Sequence, residues 1–130
     1  MSVDLKEKSI ALLSATTVSF AATGATTLYT VPAGKIAILF AAIVAPGADP
    51  VNCTCTIGST GTSATSFLDT QTFHTNVDSS TEVGILQPIP AASTVAIKTY
   101  AAADVIQITI AGGGGGATNK VYLFGFLIDA

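Results

Sequence analysis

The sequence predicts an all-β protein built as an antiparallel sandwich of two sheets. Short segments in which apolar and polar residues alternate recur along the chain, and a period of two is typical of a half-buried strand. Turns rich in glycine and proline separate these segments, and no helical spacing of apolar residues appears after the first dozen residues. Since no crossover helices are expected, successive strands pair antiparallel and stack as two sheets.

The chain divides into an N-terminal arm, residues 1–13, and a sandwich domain, residues 14–130. The arm is either a short helix or an extended segment. Eight or nine strands follow, and the topology we expect first is an eight-stranded jelly roll. The predicted strands are Ser14–Ala22, Thr26–Val31, Ile36–Ala45, Val51–Ile57, Phe67–His74, Val83–Ile89, Val95–Tyr100, Val105–Ala111 and Val121–Asp129.

Two of these strands are apolar on both faces. Ile36–Ala45 follows the turn Pro32–Gly34, and Val121–Asp129 closes the chain. A strand that avoids water on both sides lies either in the middle of a two-sheet core or between a core and a subunit interface. We therefore expect these two strands to be near neighbours at the centre of one sheet.

Other strands should present one face to the core. Val51–Ile57 places Val51, Cys53, Cys55 and Ile57 on one side, with polar residues between them. Val105–Ala111 likewise turns three isoleucines to one side, which are Ile106, Ile108 and Ile110. These alternations predict which side chains line the interior.

The composition favours an oligomer. The chain has 130 residues, of which 49% are hydrophobic and only 10% charged, against roughly 25% charged residues in an average soluble domain. So few charges leave much of a monomer's surface to small and apolar residues, or to contacts with other subunits. The five lysines are scattered and there is no arginine, so we expect no nucleic-acid partner. No apolar run is long enough for a membrane span.

No motif predicts catalysis, a metal or a cofactor. The glycine run Gly112–Gly116 lies between two predicted strands, whereas a phosphate-binding loop leads into a helix. His74 is the single histidine, and no recognisable nucleophile motif accompanies it. Cys53 and Cys55 lie on the same face of one strand, where their side chains run parallel and do not form a disulfide. We expect a protein that is not an enzyme, and a hydrolase centred on His74 is the remaining catalytic alternative.

Two groups of residues are candidates for interactions. The arm carries apolar side chains that a small sandwich does not need for its own core, so it either lies across a neighbouring subunit or forms an edge strand or frayed end. These are Leu5, Ile10, Leu12 and Leu13. The two doubly apolar strands supply a candidate subunit interface on their outer face, although alternation alone does not decide which face is outer. The residues chosen for it are Leu39, Ile43, Tyr122, Phe124 and Phe126.

Two phrases carry a resemblance to a known class of proteins. TLYTVPAGKIAILFAAIVA spans Thr27–Ala45, and AAADVIQITIAG spans Ala101–Gly112. Together they resemble small structural proteins of tailed bacteriophages, in which such an opening leads into a buried strand. Head decoration (cement) proteins and the head domains of tail fibres belong to this class. The pentaglycine Gly112–Gly116 departs from the pattern, where a more ordinary loop would be expected.

The resemblance implies a function in the virion. It implies a jelly roll or related sandwich, a homotrimer, and a decoration protein on the capsid surface that is made in the host cytoplasm. The arm would contact the major capsid protein, and burial of apolar surface would stabilise the shell. The alternative is a receptor- or glycan-binding head of a tail fibre, with Gly58–Ser66 and Gly112–Asn119 as binding loops.

Overall fold

A computed structural model describes residues 9–47, 53–61, 63–72, 80–89, 98–112 and 118–130. These residues form nine strands and no helix. The strands are β1 (Ala11–Ser19), β2 (Gly24–Thr30), β3 (Lys35–Pro46), β4 (Thr54–Ser59), β5 (Leu68–Thr72), β6 (Gly84–Leu86), β7 (Thr99–Tyr100), β8 (Val105–Ala111) and β9 (Thr118–Asp129). The all-β prediction is confirmed.

The strands pair into two antiparallel sheets. The first sheet has the order β1-β9-β3-β6, and β7 also pairs with β3. The second sheet has the order β2-β8-β4-β5. The first strand pairs with the last, β2 pairs with β8, and β4 pairs with β5. The predicted two-sheet sandwich is confirmed.

The centre of the first sheet is the pair β3 and β9. Their register runs from Lys35 opposite Asp129 to Pro46 opposite Asn119, and each strand has twelve residues. β1 lies beyond β9, and β6 lies beyond β3. The prediction that the two doubly apolar strands are central neighbours is confirmed.

The described residues form nine strands rather than eight because two short strands share one edge of β3. β6 pairs with Ala42–Val44, and β7 pairs with Ala37 and Ile38. Between them the chain crosses to the second sheet, where the Ile89 N–H donates a hydrogen bond to the carbonyl of Phe67 at 2.9 Å. β6 and β7 therefore lie one after the other along the same edge of β3. If they are counted as one, each sheet has four strand positions.

A tight turn at residues 32–35 leads directly into β3. The Lys35 N–H donates to the Pro32 carbonyl at 3.2 Å, and Gly34 has a φ of +72°. A positive φ at the third position is the requirement of a type II turn, and glycine meets it without strain. Two backbone hydrogen bonds tie Val31 to Ala103 and Asp104, which anchors this turn to the loop before β8.

The core lies between the sheets. Cys53, Cys55 and Ile57 are all fully buried, as the alternation predicts, and Val51 lies outside the described residues. The three isoleucines of β8 are buried as well. The largest core side chains include Tyr100, Phe20, Leu39, Ile57, Leu68, Ile106, Ile108, Ile110 and Leu123.

Two β-bulges flank β9 at nearly the same level. In β1 the register shifts between Leu12 and Ser14, and in β3 it shifts between Leu39 and Ala41. A bulge inserts one residue, so the residues beyond it point to the opposite face from that expected by simple alternation. The direction of the side chains in β3 therefore reverses at Phe40.

Candidate functional site

The outer surface of the first sheet is a continuous apolar face. Residues directly opposite each other in neighbouring strands share a face, so the register decides its membership. We call it the apolar face, and its large side chains are Leu12, Ile36, Ile38, Phe40, Ile43, Ile85, Tyr122, Phe124, Phe126 and Ile128. A four-stranded antiparallel sheet in solution usually alternates apolar-in and polar-out, and this sheet is apolar on both sides.

Cross-strand rows build the apolar face. Tyr122 of β9 lies opposite Ile43 of β3, which in turn lies opposite Ile85 of β6. One row along, Phe124 lies opposite Leu12 of β1. Side chains opposite each other have Cβ atoms about 5 Å apart. The apolar side chains therefore form adjoining rows and not isolated exposed residues.

Several of these side chains are well exposed. Ile85 is 65% exposed, Leu12 52% and Phe40 49%. The row of aromatic residues on β9, which is Tyr122, Phe124 and Phe126, is half-buried between them. Contiguous apolar surface of this kind marks an interaction site in soluble proteins.

Charged groups lie at the two ends of β9. Lys120 is the nearest charged residue before Tyr122 in the strand, and it is exposed. At the other end, the Lys35 Nζ donates to the Asp129 Oδ1 at 2.7 Å. This hydrogen bond and the lysine charge hold the pKa of Asp129 below its ordinary value of 3.8. The outward positions of β9 between these ends carry no charge.

The outer surface of the second sheet is different. Its cross-strand rows are mostly threonine, as where Thr109 of β8 lies opposite Thr56 of β4, and Gln107 lies opposite Thr27 of β2. Polar, uncharged side chains of this kind are compatible with contact with water. The contrast between the sheets makes the apolar face the candidate site.

The structure brings together four of the five residues predicted for a subunit interface. Ile43, Tyr122, Phe124 and Phe126 all belong to the apolar face. The prediction for Leu39 is wrong, because this side chain is 0% exposed and lies in the core. The bulge after Leu39 reverses the alternation on which the prediction depended.

Sequence reasoning missed Ile38, Phe40 and Ile85 as members of the apolar face. The alternation of an uninterrupted β3 groups Ile38 and Phe40 with Val44, which is buried. One signal was available in the neighbouring strand, since Gly125 is an isolated glycine within an apolar strand. Such a glycine suggests a bulge or a close backbone approach.

The structure divides the residues of the predicted arm between the strand β1 and the segment before it. The strand β1 begins at Ala11, so Leu12 and Leu13 are part of the first sheet and not of an arm, because they pair with or lie beside β9. Leu12 joins the apolar face, whereas Leu13 packs against the core. Ile10 is exposed just before β1, and Leu5 lies outside the described residues.

Other predicted features are placed as follows. His74 and the residues 113–117 of the glycine run lie outside the described residues. Burial, with a smaller effect of Cys53, raises the pKa of the Cys55 thiol to about 12, which leaves it protonated and unreactive. Among the described residues, no group of three or more metal-ligating side chains occurs. The described residues contain no helix that is long and apolar enough to cross a membrane.

Comparisons with known proteins give a likeness of fold. No protein-family description and no curated protein sequence matches the chain. A chain in the structure titled "Cyanophage Pam1 capsid asymmetric unit" matches with a TM-score of 0.58 and 17% identity, over 90% of this chain and 84% of that chain. A chain in "Acidic stable capsid structure of Helicobacter pylori bacteriophage KHP30" matches with a TM-score of 0.56 and 12% identity, over 94% of this chain and 97% of that chain.

Proposed function

We propose that this protein is a structural protein of a bacteriophage virion. In this proposal it decorates the capsid surface as a homotrimer and stabilises the shell of major capsid protein by burying surface against it. The observation that carries the proposal is the apolar face, which no residue of the described chain covers. A sandwich of this size already has a complete core between its sheets, so a second apolar surface is best explained by contacts with other chains.

The extent of the apolar face suits such contacts. Its two central strands have twelve residues each, which at about 3.3 Å per residue and about 4.8 Å between strands gives a sheet of roughly 40 by 19 Å. The resulting area, up to about 750 Å², is comparable with the roughly 800 Å² that each partner buries in a stable protein interface.

The likeness of fold supports the capsid setting. Both solved structures whose folds match are phage capsids, and the match covers at least 90% of this chain in each. Because fold does not determine function, this likeness supports the proposal together with the apolar face and the resemblance of Thr27–Ala45 to phage structural proteins.

We also propose that the sandwich is a jelly roll. A jelly roll arises when an eight-stranded antiparallel hairpin rolls up into two sheets. If β6 and β7 count as one strand, the pairs are first with eighth, second with seventh, third with sixth, and fourth with fifth. The connections between hairpin pairs, β9 with β3 and β8 with β4, then complete the two sheets.

The N-terminal residues are the proposed contact with the major capsid protein. Ile10 is 45% exposed just before β1. Together with Leu5 it would contact the shell, while the apolar face joins copies of the chain. That this protein is not an enzyme stays a prediction, as does its synthesis in the host cytoplasm.

The decisive experiment measures binding of the purified protein to capsids that lack it, together with the solution mass from light scattering. We expect saturable binding at a fixed ratio to the major capsid protein, by a trimer. Deletion of residues 1–10 should abolish capsid binding and leave the number of copies in the oligomer unchanged. Phe124→Asp should dissociate the trimer, whereas the matched control Thr109→Asp, on the outer side of the second sheet, should not.

Failure to bind capsids would overturn the decoration function. Binding of the same protein to host cells or glycans would then support the tail-fibre alternative, in which loops such as Gly58–Ser66 contact the ligand. No described residue of that loop carries a charge, and Ser66 is buried, so no specific observation favours this alternative.

A further inference from the structure

The two halves of the apolar face differ in shape and chemistry. On the side of β9, the outward side chains are aromatic and half-buried, and we call Tyr122, Phe124 and Phe126 the aromatic row. On the opposite side, the edge strand β6 carries small branched side chains that project into solvent. Ile85 is 65% exposed, and Val83, just before β6, is 56% exposed. We call Val83 and Ile85 the aliphatic ridge.

The ridge lies at an edge that is open. β6 pairs with β3 on one side, and no described strand pairs with its other side. An open edge with exposed apolar side chains is a site at which another chain can pack. The ridge is therefore accessible both from the front of the apolar face and from its side.

Rotational symmetry decides how these halves are used in a trimer. A two-fold interface brings the same patch of both copies together, and it closes at two copies. A ring of three instead needs a head-to-tail interface, in which two different patches of the chain meet. The trimer of the proposed function thus requires two complementary surfaces on each copy.

We propose that the aliphatic ridge of one copy packs against the aromatic row of the next, and that three such contacts close the ring. This inference rests on the proposed trimer and specifies its interface. The ridge side chains are more exposed than those of the aromatic row, so they can reach the row of a neighbouring copy. The outward positions from Tyr122 to Ile128 are uncharged, and the ridge side chains Val83 and Ile85 are aliphatic, so contact between these side chains buries no ionised group. The exposed Glu82 lies next to Val83, at the margin of this contact.

Register also shows that the two surfaces cannot meet within one chain. Ile85 and Phe124 are separated by two strand spacings and by two residues along the strand. The resulting separation is about 12 Å. A disulfide requires Cα atoms closer than about 7 Å. A disulfide between these positions therefore reports a contact between copies.

The test is disulfide trapping with the double variant Ile85→Cys/Phe124→Cys, oxidised by glutathione disulfide at low protein concentration. The native Cys53 and Cys55 are fully buried and stay outside the reaction. We expect most chains to be recovered as covalent trimers under denaturing, non-reducing electrophoresis. Each single variant alone should stay monomeric on the same gel, and an equal mixture of the two single variants should yield covalent dimers.

A matched control combines the ridge cysteine with a cysteine on the outer surface of the second sheet. Ile85→Cys/Thr109→Cys places the second thiol on the threonine-rich outer surface, and it should give no covalent trimer. Covalent dimers as the largest product of the Ile85→Cys/Phe124→Cys variant would indicate a two-fold interface and overturn the inference. Absence of any covalent product would overturn it as well.

Capsid binding separates this inference from the proposed function. Unmodified protein that binds capsids, together with a double variant that gives no covalent trimer, would leave decoration standing and refute the ridge-to-row interface. Conversely, covalent trimers from a protein that does not bind capsids would support the interface and refute decoration.

Discussion

Two neighbouring residues of β3 provide a direct test of the bulge that orients the apolar face. Leu39 is fully buried in the core, and Phe40 is 49% exposed on the apolar face. Adjacent residues of an uninterrupted strand also point to opposite sides. The bulge determines which of the two lies on the same face as the buried residues after it in β3. The two substitutions Leu39→Ala and Phe40→Ala should therefore have different effects.

The cost of Leu39→Ala follows from its burial. Removing buried methyl and methylene groups costs about 0.8 kcal/mol for each carbon in transfer free energy. The cavity left behind brings the loss in unfolding free energy to about 3–4 kcal/mol. In a domain of this size we expect the melting temperature to fall by about 10 °C. The decrease should be similar at every protein concentration, because the core does not depend on assembly.

Phe40→Ala should act on assembly instead. Loss of a half-exposed side chain should change the unfolding free energy of a single copy by about 1 kcal/mol or less. Association stabilises the folded chain by mass action, so the melting temperature of an oligomer rises with concentration. In this variant that rise should be smaller.

Thermal unfolding measured at two concentrations 100-fold apart separates the two effects, with Thr109→Ala as a control on the second sheet. The reasoning would be refuted if Phe40→Ala lowered the melting temperature of the dilute protein by about 10 °C and Leu39→Ala affected only its concentration dependence.

Three further predictions concern single interactions. Tyr100 and Ser66 share a buried hydrogen bond of 3.0 Å. Tyr100→Phe leaves the Ser66 hydroxyl unsatisfied, so it should lower the free energy of unfolding, measured in urea, by about 1–2 kcal/mol. A loss of stability that is smaller in Tyr100→Phe than in the double variant Tyr100→Phe/Ser66→Ala would contradict this. The pKa of Asp129 is lowered in the folded chain, so its ion pair with Lys35 stabilises the fold above the ordinary value of 3.8 and ceases to do so as the pH falls through the lowered value. The difference in melting temperature between the wild type and Lys35→Met should thus shrink in acid, and a constant difference would count against the pair. Finally, the raised pKa of Cys55, about 12, predicts that a thiol reagent at about pH 8 labels it only as fast as the chain unfolds, so rapid labelling of the native protein would exclude this burial.

The alternation of apolar residues was sufficient to predict the core strands. In β8 one polar residue separates each isoleucine from the next, and all three isoleucines are buried. The central position of β3 and β9 also followed from composition, since only a central strand avoids water on both faces. These features depend on residues close together in sequence, and local pattern reveals them.

The orientation of the apolar face depended on contacts that local pattern does not contain. At Gly125, an added Cβ would lie 2.5 Å from the Ile38 carbonyl oxygen and 3.1 Å from the Leu13 Cδ1. The backbone of β3 and a side chain of β1 thus lie close to β9 here, at the level of both bulges. Whether β3 bulges at Phe40 is decided by this packing across strands and not by the residues of β3 alone, which is why Leu39 was assigned to the wrong side.

Edge positions were equally difficult to predict. The predicted strand Val83–Ile89 is only three residues long in the structure, because the chain leaves the first sheet to bond with Phe67 and Asp69 of the second. This departure leaves Ile85 as an exposed residue on a short edge. The exposure of Ile85 depends on hydrogen bonds between residues far apart in sequence, and the spacing of apolar residues does not predict these bonds.

The two bulges connect the fold with the proposed assembly. Each bulge adds local twist and changes the direction of one side chain. In β1 the bulge turns Leu13 toward the core and keeps Leu12 outside, and in β3 it releases Phe40 from the core. Both changes occur beside Phe124, so the aromatic row gains an exposed apolar neighbour on each flank. A strictly regular β3 would point Ile38 and Phe40 to the same side as the buried Val44, and Leu39 to the other side. The bulges instead place Leu12 and Phe40 beside the row, on the surface that we propose joins one copy to the next.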